Sequence, residues 1–100
     1  MSDETAALLR VLVEGDARAV GEALHAEVEF VQGDGTAHRG AAVVVAMFAD
    51  SEGATRYAVV AVERSAVRVE LTVPGIPGSV GFTLRGASEG GRLVRVVVEA

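Results

Sequence analysis

The feature that most restricts how this chain can fold is a change in the spacing of its apolar residues. Val67, Val69, Leu71 and Val73 alternate with Arg68, Glu70 and Thr72, the period of two that gives a strand one buried face. Near the start, Thr5, Leu8, Leu9 and Leu12 stand at i, i+3, i+4 and i+7, the stripe of an amphipathic helix. A chain that begins helical and finishes in strands with short connections packs its helices on an antiparallel sheet, the α+β class.

Local signals place the elements. Ser2 is a good helix cap with Asp3 and Glu4 in the first turn, and Gly15 stops that helix. Asp16 caps a second helix, with Val20, Ala23 and Leu24 as its buried stripe, that ends at His25. From Glu27 the period becomes two. Val28 and Phe30 alternate with Glu27 and Glu29 until Gly33-Asp34-Gly35 supplies the positive φ angles of a tight hairpin, and Thr36 to His38 returns. Gly40 opens a third helix, Ala41 to Phe48, with Val43, Val44, Met47 and Phe48 on one face. Its β-branched valines have weak helix propensity, so burial must hold it. Asp50 to Ala54 is a polar exit. Strands are predicted over Thr55 to Arg64, Val67 to Val73, Val80 to Arg85 and Arg92 to Glu99, with a turn at Pro74 to Ser79 and a last hairpin loop at Gly86 to Gly91.

Inventory narrows the chemistry. A length of 100 residues supports one core, hence a single domain over 1–100. The apolar run Ala41 to Ala49 falls far short of the roughly 20 residues that span a bilayer, so no membrane partner is expected. The acidic Met1-Ser2-Asp3-Glu4 start lacks the charge of a secretory signal, which points to the cytoplasm. A net charge of -5 opposes a phosphate backbone, so nucleic acid is not expected either. Cysteine and lysine are both absent, which excludes disulfides, thiol nucleophiles, Schiff bases and a phosphate loop ending in lysine. Gly33-Asp34-Gly35 lacks the third glycine of a dinucleotide fingerprint, and Ser79 lacks the glycine of a nucleophile elbow. His25 and His38 have no third ligand in a recognisable pattern. Neither cofactor nor metal is expected.

The element order, with Gly15-Asp16-Ala17-Arg18-Ala19-Val20, Glu27-Val28-Glu29-Phe30, Gly33-Asp34-Gly35 and Arg39-Gly40, resembles the nuclear transport factor 2-like superfamily. The likeness is to its SnoaL-like and ketosteroid isomerase-like bacterial proteins and covers nearly the whole chain. It implies a cone-shaped, strongly curved antiparallel sheet wrapped around three N-terminal helical segments, a cystatin-like α+β barrel with an apolar cavity open at one end. By the same resemblance the isomerase's general base falls on Gln32, its oxyanion-hole tyrosine on Leu8 and its protonated aspartic acid on Phe82. A glutamine cannot shuttle a proton at neutral pH, and leucine and phenylalanine cannot donate to an enolate. Val62-Glu63-Arg64-Ser65-Ala66 is similar to the Arg-x-Asp strand of small epoxide hydrolases of this fold. There the arginine falls on Arg64, the aspartate on Ala66 and the late acid on Val98, with Glu99 one residue further.

Six residues are candidates for ligand binding. Gln32 shares a face with Val28 and Phe30, where it would orient a carbonyl or hydroxyl, although a polar strand end next to a turn explains it as well. Tyr57 would bring a hydroxyl to an apolar wall and Met47 a flexible thioether, while Phe30, Phe82, Met47 and Leu8 would bound the space. His38 and His25 carry the side-chain type suited to acid–base work at neutral pH and are candidates for it; His25 at a helix end would also complement the dipole. The expected function is to enclose a small apolar or amphipathic molecule without the isomerase triad. The alternative is an isomerase, polyketide cyclase or epoxide hydrolase-type enzyme with divergent catalytic residues. Thr55 to Arg64 and Arg92 to Glu99 are apolar on both faces, which predicts a homodimer through the outer sheet face.

Overall fold

A computed structural model describes residues 4–49 and 56–99, with the side chains of Phe48, Ala49 and Arg56 outside that description. Ser2, Asp3, the polar exit 50–54 and Thr55 lie outside the described residues. The order of elements is α1 (Glu4–Glu14), α2 (Ala17–Ala23), β1 (Leu24–Val31), β2 (Ala37–Arg39), α3 (Ala41–Ala49), β3 (Arg56–Glu63), β4 (Ala66–Thr72), β5 (Val80–Glu89) and β6 (Arg92–Glu99). Among the described residues no helix is long and apolar enough to cross a membrane.

The predicted α+β class holds, as a curved, unclosed sheet with the three helices packed on it. The strands lie in the order β2-β1-β6-β5-β4-β3. Every neighbouring pair is antiparallel except β1 and β6, which run parallel, so the sheet is mixed where an all-antiparallel one was expected. Alternation reports which side chains share a face and is blind to strand direction. The parallel pairing becomes possible because most of the chain intervenes between the two strands.

The inner face of the sheet carries the core. Val28, Phe30, Val67, Val69, Leu84, Leu93 and Val96 meet Leu9 and Leu12 of α1, Val20 of α2 and Val44 of α3, all buried. Helix α1 crosses β3 to β6, while α2 and α3 cover the β1 side. Gly86 explains the close approach of α1. A Cβ there would stand 3.2 Å from the Leu9 side chain and 3.0 Å from the Arg95 carbonyl oxygen, so the glycine is extended strand pressed against a helix.

That contact corrects the predicted loop at Gly86 to Gly91. Strand β5 runs on to Glu89, and Gly90 and Gly91, at φ 58° and 79°, make the turn themselves. Three smaller expectations also shift. Leu24 is the extended C-cap of α2 and the first residue of β1, so His25 is an exposed strand residue, with its Nδ1 accepting from the Glu27 amide at 3.1 Å, and not the end of the helix. Of the glycines at the β1–β2 turn only Gly35 has positive φ, at 91°. In α3, Val44 and Val45 pack toward the core and Val43 is exposed.

The outer face is largely polar. Glu29 lies between Arg95 at 3.2 Å and Arg39 at 3.7 Å, Arg85 donates to Glu99 at 2.8 Å, and Arg68 donates to the Thr83 hydroxyl at 3.2 Å. Val31 and Val97 are paired across β1 and β6 and half-buried among these groups. On edge strand β3 a bulge between Val59 and Ala61 leaves Val60 and Val62 51% and 56% exposed.

Candidate functional site

The helices cover the inner face unevenly, and a cavity of about 270 Å³ opens where they leave it bare. Register fixes its walls. Val98 of β6 faces Leu84 of β5, which faces Val67 of β4. One pair further along, Phe82 faces Val69, and one pair beyond that, Leu71 stands between Val80 and Tyr57. Strand β1 adds Phe30, its exit adds Gln32 and Gly33, and α3 closes the side with Met47. The positions on β1, β4 and β5 sit on the face that alternation assigns to the interior, and pairing with Leu71 and Leu84 puts Tyr57 and Val98, from strands apolar on both faces, on the same side.

Polarity is sparse in this wall. The lining residues are apolar except for Gln32 and Tyr57, with the Gly33 backbone beside them. Gln32 is half-buried and held by its main chain: its amide donates to the Thr36 carbonyl at 2.8 Å and its carbonyl accepts from Gly35 at 2.9 Å. The turn is fixed further by Asp34, whose carboxylate accepts from the Thr36 amide at 2.8 Å. That hydrogen bond holds the Asp34 carboxyl below the usual carboxylate range. Tyr57 meets Phe82 edge-to-face, with ring centroids 6.3 Å apart and planes at 86°.

Five of the six candidate ligand residues, Phe30, Gln32, Met47, Tyr57 and Phe82, come together on this wall. The sixth, His38, does not line it. It faces Phe30 across the β1–β2 ladder, with its Nε2 shielded from solvent and without a hydrogen-bond partner among the described residues. Leu8 packs against the core instead of bounding the cavity, whereas Phe82 lines it and is half-buried. Leu71, Leu84 and Val98 complete the wall; for Leu71 and Leu84 the signal was present in their inward alternation. The positions compared with the epoxide hydrolases scatter. Arg64 is exposed at the β3–β4 turn, Ala66 is buried away from the cavity, and Glu99 lies on the outer face with Arg85.

A curved open sheet, helices on one face and an apolar pocket at the uncovered end define a class of small α+β domains. The particular fold is the nuclear transport factor 2-like one, which also includes the ketosteroid isomerase-like and SnoaL-like proteins. An NTF2-like protein of unknown function from Mesorhizobium loti superposes with a TM-score of 0.79 at 20% identity, over 98% of this chain and 91% of that one. A candidate ketosteroid isomerase from Kribbella flavida gives 0.78 at 17% identity, over 97% of this chain and 77% of that one. A Catenulispora acidiphila protein with a ketosteroid isomerase-like fold, in complex with trimethylamine, gives 0.69 at 12% identity, over 100% of this chain and 87% of that one. Other structures of this fold include an epoxide hydrolase and candidate polyketide cyclases. No family model matches the chain, and no curated protein matches it. Likeness at these identities establishes the fold and leaves the activity to the site.

Proposed function

We propose that the domain encloses a small apolar or amphipathic molecule, held by Phe30, Met47, Tyr57 and Phe82 and oriented by Gln32. One observation carries this reading: an apolar pocket with Gln32, Gly33 and Tyr57 as the sparse polar members of its lining. Its volume of about 270 Å³ falls just below the ~300–1,000 Å³ typical of small-molecule sites, so the enclosed part of the ligand is compact. The Gln32 amide offers both a donor and an acceptor and suits a carbonyl or hydroxyl. With Gln32, Leu8 and Phe82 at the compared positions, the domain is expected not to isomerise Δ5-3-ketosteroids. Steroid turnover that a Gln32 substitution abolishes would overturn this.

Native mass spectrometry of protein purified under gentle conditions is the direct test of the binding reading. A co-purifying small molecule that Phe30→Ala or Gln32→Ala loses supports it, and a molecule retained equally by both variants refutes it.

A second reading is catalysis by divergent residues, for which His38 is the candidate. It is paired with Phe30 of the cavity wall but stands outside the lining, and its Nε2, removed from water, has no hydrogen-bond partner among the described residues. If His38 acts as acid or base, His38→Gln removes turnover of whatever substrate is found while leaving its affinity within a few-fold; unchanged turnover refutes the role.

We also propose that the domain is a homodimer through the outer sheet face. Support comes from the half-buried Val31 and Val97 among paired charges, an apolar centre with a polar rim. Light scattering at micromolar concentration should give twice the chain mass, and a monomer mass refutes the proposal.

A further inference from the structure

The cavity wall does not stop where the cavity does. Val80 lies on β5 two residues before Phe82, on the same face, and is paired with Leu71, itself paired with Tyr57. Val80, Leu71 and Tyr57 therefore form one continuous row across three strands, with two members lining the cavity and the third outside it. Burial falls away along the row's neighbourhood. Leu84 is buried, Phe82, Leu71 and Tyr57 are half-buried, and Val80 is 64% exposed. Next in the chain before Val80 is the β4–β5 loop, where Ile76 stands between Pro74-Gly75 and Pro77-Gly78 and is 62% exposed. The glycines have φ of 85° and 88°, and the Ile76 amide donates to the Val73 carbonyl at 3.2 Å, so the first Pro-Gly closes a defined turn.

We infer that the Val80–Leu71–Tyr57 row is a second subsite for the same ligand, a shelf that receives an unbranched apolar chain leaving the cavity. The inference rests on the proposed binding function and names its ligand class more closely: an elongated amphiphile with a compact polar end inside and a chain laid over Leu71 onto Val80. Two observations decide for a chain in preference to a bulky body. The cavity is small for a bulky ligand, and the apolar surface continues from it along the row Tyr57, Leu71 and Val80, which has no charged member. The charged members of β4 and β5, Arg68, Glu70, Arg85 and Glu89, lie at the alternate positions and hence on the opposite face.

A homologous series of primary alcohols, 1-butanol to 1-decanol, titrated against isotopically methyl-labelled protein by NMR, measures this. Each methylene buried should tighten binding about fourfold until the apolar surface is used up. In the wild type the gain should continue beyond the length at which it stops in Val80→Ser, with the affinities of the shortest alcohols unchanged by the substitution. Val60→Ser, which alters a comparably exposed valine on the β3 bulge, should behave as wild type. If the gain stops at the same chain length in wild type and Val80→Ser, the shelf is overturned while the cavity reading stands. No saturable binding by any member overturns both. A Val80→Ser protein with an altered mass by light scattering overturns the shelf as well, by making Val80 a contact between subunits.

Discussion

The two ends of the inner sheet face are built from the same kinds of residue and meet different fates. At one end Leu93 and Val96 pack in the core with Leu9 and Leu12 of α1 and are 0% exposed. At the other, Tyr57, Leu71 and Phe82 continue the same alternation and stay half-exposed around the cavity. Nothing in residue type separates them. The helices separate them, since α1 is a short rod on a broader sheet and α3 covers the β1–β2 side. A cavity in this fold is therefore uncovered core, and its position follows from how far the helices reach.

That contrast can be broken by mutation. The largest effect is expected at the covered end: Leu9→Ala should lower stability by about 2–5 kcal/mol, because a fully buried leucine leaves a hole that its neighbours fill only in part. Urea denaturation measures it, and a cost below about 1 kcal/mol would mean that the core collapses freely there. Gly86→Val should come next, at about 1–3 kcal/mol, since its side chain enters the space held by Leu9 and the Arg95 carbonyl. Pairing it with Leu9→Ala in a double-mutant cycle sharpens the point, because the smaller leucine replacement should recover part of the loss.

At the uncovered end Phe82→Ala should cost less than the roughly 3–5 kcal/mol usual for a buried phenylalanine. One face of Phe82 already borders the cavity, so its removal enlarges a space instead of creating one. A loss equal to or above that of Leu9→Ala would erase the distinction between the two ends. The smallest effect belongs to Asp34 in the turn beside Gly33. Its folded carboxyl is held below the unfolded value by the Thr36 amide, so it contributes stability above the unfolded value and loses it as the pH falls through the folded one. Asp34→Asn should therefore separate from wild type in urea midpoint at neutral pH and converge with it in acid. Equal separation at both would show that charge plays no part.

Much of this was legible in the residues because alternation and capping are local. Asp16 caps α2 through the Ala19 amide as its position suggested, and Val67, Val69, Phe82 and Leu84 face inward as their spacing required. The same spacing brought Phe30, Gln32 and Phe82 to one wall. What escaped was set by distant partners. Gly86 reads as a loop residue until Leu9, far off in sequence, is seen against it. The β3 bulge shifts the pairing after Val59, so strict alternation assigns Val62 a face by a count that the bulge has broken. Leu8 follows the helical stripe with Leu9 and Leu12, yet the stripe does not say which part of the sheet it will cover.

The parallel pairing of β1 with β6 also governs the order in which the molecule can be assembled. Residues 29–31 lie against 95–97, so the pair forms only when nearly the whole chain is present. The β3–β4 and β5–β6 hairpins join near neighbours and close quickly, whereas the β1–β6 contact must draw together a loop of most of the domain. Phe30 enters the cavity wall from β1 and Val98 from β6, so the pocket is complete only after that last junction is made. During synthesis the helices and the first hairpin emerge before β6 can meet β1, and the cavity closes only once that strand is available.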